Sequence, residues 1–131
     1  MVSRWVVALF GLFHVVNGLT MLVAPTTWYA SVPGVSMTGP FNPHFVTDIG
    51  LAFLASGIGM LFALRRGQIA ATLALAGSVW PALHALFHVW SWVTGHMPSS
   101  PTLWASEAVG VVIVGLLGAG LALARFGQGE T

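Results

Sequence analysis

Four apolar stretches, Trp5 to Ala24, Phe45 to Leu64, Ile69 to Val93 and Leu103 to Ala124, take up most of this chain. Each is close to the roughly 20 residues that a helix needs to cross the hydrocarbon of a bilayer. A water-facing surface cannot be built from what remains, because 56% of the 131 residues are hydrophobic and 5% are charged. The sequence therefore predicts an all-α integral membrane protein, a four-helix bundle forming a single transmembrane domain over residues 1–131. The first stretch follows Arg4 as a secretory signal would. It is too long for one, carries His14 and Asn17, and reaches Pro25 without a small-residue cleavage site, so it is expected to stay as a helix.

Orientation follows from Arg4, Arg65, Arg66 and Arg125, the only basic residues apart from histidine. An even number of crossings puts all four on one side, which makes both termini cytoplasmic. The segments Pro25 to His44 and Thr94 to Thr102 carry no Lys or Arg and are expected as outer loops, with Trp28, Trp90, Trp92 and Trp104 forming an aromatic belt at that boundary. The absence of cysteine excludes disulfides, thiolate ligands and iron–sulfur clusters. A formal charge of +1 with no basic patch leaves nothing for nucleic acid to bind.

The two halves of the sequence echo each other. Leu12-Phe13-His14-Val15 returns as Leu86-Phe87-His88-Val89, with Pro25 and Pro98 following at nearly equal intervals, and Pro43 stands ahead of Asp48 much as Pro101 stands ahead of Glu107. Two readings are open: a parallel repeat of helix pairs about an axis along the membrane normal, or a chance match in residues common to all membrane segments. In the first, His14 corresponds to His88 and Asp48 to Glu107. At about 1.5 Å of rise per residue, the carboxylates lie roughly 8 Å below the flanking prolines and the imidazoles roughly 15 Å.

Ionisable groups at such depths are costly and usually functional. His84 and His88, four apart, stack on one helical face where both can reach a single ion, and His44 and Asp48 share that spacing. Pro81 is expected to kink or loosen the helix just below them. Imidazole with carboxylate is a ligand set for zinc, copper or iron. The set expected to hold such a transition metal is His14, His84, His88, Asp48 and Glu107, with His44 and Asn17 as additional members. The sequence lacks the Glu-x-x-His pairs of ferritin-type di-iron proteins and the His-Glu-x-x-His of zinc proteases. Three other uses of the same groups stay open: haem b clamped between His14 and His88, an acid–base pair of a histidine with Asp48 or Glu107 acting on a lipid-soluble substrate, and a proton-coupled transporter. His96, in the outer loop, reads as solvated.

Gly57, Gly59, Gly110, Gly115, Gly118 and Gly120 are expected to let helices pack closely, within the bundle or between chains. Besides the lipid bilayer, the expected partners are further copies of the chain or the other subunits of a membrane complex. The layout, and the segment Phe41-Asn42-Pro43-His44-Phe45 followed by Asp48-Ile49-Gly50, resembles the DoxX-like group of small bacterial membrane proteins. That resemblance implies a multi-pass protein of the bacterial inner membrane, in a group some of whose members are linked to respiratory thiol or sulfur redox and quinones. Together these features predict a membrane metalloprotein with its site in the outer half of the bundle, a redox enzyme or redox subunit acting on a small or lipid-soluble molecule. A non-catalytic subunit, whose polar groups serve only to join helices, is the rival from a different class.

Overall fold

The computed structural model describes residues 2–128; residues 1 and 129–131, the ends of the domain read from the sequence, lie outside the described residues. The described chain is helical, with no β-strand. Helix α1 (Val2–Val23) stops at Ala24, and Pro25 opens a short helix α2 (Pro25–Ser31), a place where the missing proline N–H costs nothing. Gly34, in the left-handed region at φ 88°, then turns the chain into a single 3-10 turn, Val35–Met37. Helix α3 (Pro43–Leu61) begins with Asn42 as its cap, the side-chain oxygen accepting from the Phe45 amide at 3.2 Å, and runs on into a 3-10 turn, Phe62–Leu64. After Arg65, Arg66 and Gly67 comes α4 (Gln68–Val93), which keeps its helical course through Pro81. Ser100 caps α5 (Pro101–Glu107) through the Leu103 amide. That helix passes through a π-helical segment, Ala108–Ile113, directly into α6 (Val114–Gly127).

Four spans, Arg4–Val23, Pro43–Leu64, Gln68–Val93 and Pro101–Gly127, are long and apolar enough to cross a membrane. They correspond to the four apolar stretches of the sequence. Helix α2 is additional: the segment expected as an outer loop is partly helical, because Pro25 ends one helix and nucleates the next.

Each span packs along two others, α1 with α3, α3 with α4, α4 with α6 and α6 with α1. Small residues make the contacts. A Cβ placed on Gly18 would lie 2.6 Å from the Gly50 carbonyl oxygen, and one on Gly57 would lie 2.6 Å from that of Gly11, so α1 and α3 run antiparallel with their backbones nearly touching. Gly59 meets Gly77 across the α3–α4 contact, and Gly115 of α6 faces the Pro81 carbonyl of α4. Of the glycines expected to mediate packing, Gly57, Gly59, Gly115 and Gly118 do so, whereas Gly110 and Gly120 face open space.

The buried core is correspondingly small-featured. Val7, Met60, Ala63, Ala74 and Ala122 form its cluster, with Phe10, Leu75 and Leu121 packed against it. Large apolar side chains point outward instead, among them Leu9, Leu12, Ile69, Leu83, Phe87 and Leu123. This inversion is what a chain packed by van der Waals contact, with hydrocarbon as its solvent, requires. By length and composition the protein is a multi-pass membrane protein.

One polar group closes the end opposite the site. Arg125, 2% exposed, donates to the Ala63 carbonyl oxygen at 2.5 Å and to that of Arg65, fastening the end of α6 to the turn after α3. A cation placed on the last carbonyls of a helix meets the negative end of its dipole. Arg4 lies over the Trp5 ring at 5.3 Å, near the start of α1 at this same end.

Candidate functional site

Near the other end, Glu107, the last residue of α5, joins two helices through its side chain. Its Oε2 accepts from the Trp92 indole Nε1 at 2.8 Å and lies 3.0 Å from His88 Nδ1. His88 and Trp92 are one turn apart on α4, so a single carboxylate oxygen bridges two successive turns of the neighbouring helix. The π segment begins at the next residue, Ala108. Such segments add a residue to a helical turn and are frequent at functional sites. Here the extra residue releases Glu107 from the register that holds Gly115 and Gly118 against their neighbours. The His88 and Glu107 side chains stay 21% and 26% exposed.

A file of rings leads inward from this pair. His84 lies edge-on to His88, centroids 4.9 Å apart, and is stacked on Trp80 at 5.0 Å and 9°. Phe53 of α3 packs edge-on to Trp80 at 4.6 Å and to His84 at 6.2 Å, and its ring also lies 5.4 Å from that of His14 on α1. His14 is 3% exposed, touches Phe13 on another side at 5.5 Å, and neither ring nitrogen has a hydrogen-bond partner among the described residues.

The residues expected to share a metal thus occupy three places. His84, His88 and Glu107 are together. His14 sits beyond Phe53, and the path of contacts from it to His88, its proposed partner across a haem, passes through Phe53 and His84. Asp48 is at the start of α3, paired with His44 at 2.9 Å in an exposed i,i+4 contact, 85% of the His44 side chain and 59% of the Asp48 side chain being accessible. Asn17 is engaged separately, its Oδ1 accepting from Trp28 Nε1 of α2 at 2.8 Å. Among the described residues, no three His, Asp or Glu side chains are grouped closely enough to hold an ion. His96 is exposed, within 3.5 Å of the Thr94 hydroxyl.

The echo between the halves is likewise uneven. His88 meets Glu107, but its counterpart His14 does not meet Asp48, which faces outward from the second turn of α3. Nor does α3 contain a π segment like the one that follows Glu107. Two members of the site escaped the sequence reading. Trp92 was legible as the residue one turn beyond His88. Phe53, one aromatic residue in an apolar run, carries no such signal. A groove of about 240 Å³ between α1 and α2, lined in part by Phe13, Val16, Asn17 and Trp28, has no ionisable side chain.

No protein-family model matches the chain, and no curated protein or solved structure is significantly similar to it.

Proposed function

We propose that this protein is a four-helix bundle of the bacterial inner membrane, with both termini cytoplasmic, that exchanges protons at its outer end through the His88–Glu107 pair in the service of a small lipid-soluble molecule. The orientation is supported by the arginines, since Arg125 binds the turn that carries Arg65 and Arg66. The basic end is then the cytoplasmic one.

The observation that carries the functional reading is the sharing of one Glu107 oxygen by an imidazole and an indole in a pair that is still partly accessible. A carboxylate needed only to join two helices would be served by the Trp92 N–H alone. The imidazole adds a second titratable partner at hydrogen-bond distance, so a proton can pass between Nδ1 and Oε2 while the other imidazole nitrogen takes up or releases one. Trp92 holds the carboxylate in place whichever partner carries the proton. The neighbouring rings offer an apolar flank to a lipid-soluble substrate.

Infrared spectroscopy of the protein in lipid vesicles, with isotope-labelled histidine and glutamate, tests this reading. As the pH is varied, the carboxyl band of Glu107 and the ring band of His88 are expected to change together. Glu107→Gln should alter the His88 response, and His88→Asn that of Glu107. Independent responses, each unmoved by loss of the other group, would overturn the reading.

A further inference from the structure

His14 poses a separate problem. An imidazole always carries at least one N–H donor, and in its neutral form an acceptor as well. Leaving such groups buried and unpaired costs about 1–3 kcal/mol each. Leu or Phe would fill the position without that cost, as they do throughout these helices. The two rings in contact with His14, Phe13 and Phe53, offer it no conventional hydrogen bond. Phe53 is also the ring that His84 touches from α4, and His84 in turn touches the accessible His88. One phenyl ring therefore stands between the buried imidazole of α1 and the polar file that reaches the outer end.

We propose that His14 is a buried hydrogen-bonding site whose ligand is water, admitted from the His84 side when the Phe53 ring moves aside. Water is the smallest molecule that both accepts from an imidazole N–H and donates to its bare nitrogen. Polar sites in protein interiors normally hold it. Phe53 is suited to act as a cover, because its ring turns on two side-chain torsions and no hydrogen bond has to break. This inference rests on His14, Phe53 and His84, and does not require proton exchange at His88 and Glu107.

The test is transfer of magnetisation from water to the His14 ring by solid-state NMR, on the full-length protein with labelled histidine in phosphatidylcholine vesicles. His14→Phe assigns the signal. Transfer is expected in the wild type. It should rise about twofold or more in Phe53→Ala, where removal of the ring opens the path between His84 and His14, and fall at least as far in His84→Leu. Each variant is first checked for wild-type helix content. No transfer in the wild type would overturn the proposal, including the case where it appears only in Phe53→Ala, since Phe53 would then be a fixed seal. Transfer undiminished in His84→Leu would overturn the stated route. Because the infrared test reads other residues, either proposal can fail while the other stands.

Discussion

The guanidinium of Arg125, near the end of α6, donates to the main-chain oxygen of Ala63 in the 3-10 turn that follows α3. Removing it leaves the buried Ala63 oxygen, and the part-buried one of Arg65, without the cation that serves both. Arg125→Ala is therefore expected to destabilise the protein by about 3 kcal/mol. Arg125→Lys should recover only part of the loss, because an ammonium lacks the planar fork that spans two carbonyls. Reversible unfolding in mixed detergent micelles measures both.

Glu107 should matter more as a hydrogen-bonding shape than as a charge for folding, and the reverse for function. Glu107→Ala leaves the Trp92 N–H and the His88 ring unpaired and is expected to cost about 2 kcal/mol. Glu107→Gln keeps an acceptor for Trp92, so a loss of about 1 kcal/mol or less is expected. The same unfolding assay ranks the two.

Asp48 provides the contrast. Its contact with His44 is an exposed i,i+4 pair, so Asp48→Asn should change stability by less than about 0.5 kcal/mol. A loss as large as that of Glu107→Ala would show that Asp48 is held by more than His44.

Close helix contact predicts a position-specific response to one methyl group. Gly18→Ala and Gly57→Ala would each put a Cβ 2.6 Å from backbone of the facing helix, and each should cost about 1–3 kcal/mol through forced separation of α1 and α3. Gly120→Ala meets nothing within 4 Å and should be neutral or slightly stabilising. Thermal unfolding of the three variants in one detergent decides this.

The four spans were legible because length and apolarity suffice to specify a membrane helix. The end of the first span was legible at Pro25, while α3 and α5 begin at Pro43 and Pro101, just before the expected spans. The meeting of His84 with His88 was legible from their four-residue spacing, whereas the contact of His88 with Glu107 was not, since depth put carboxylates and imidazoles in separate layers. What escaped detection depends on rotation about the helix axis, which a nearly uniform apolar sequence does not encode. For this reason His14 and Asp48, placed at sensible depths, fall behind Phe53 and on the exposed side of α3. Arg125 was read only as a marker of orientation, yet its side chain turns inward to the carbonyls of the turn after α3. Helix α2 and the π segment arise from local backbone geometry that has no periodic signature.

The π segment carries a lesson about inheritance. Winding Ala108–Ile113 as ordinary α-helix with every residue kept would turn Glu107 by about 100° relative to Gly115 and Gly118, whereas deleting one residue there would restore an unbroken helix through Pro101–Gly127 and leave that relation as it is. Every residue type in the site would survive such a change, and so would the hydropathy profile. A homologue one codon shorter at this point is therefore expected to keep the pairing of Glu107 with His88 and Trp92 on an unbroken helix.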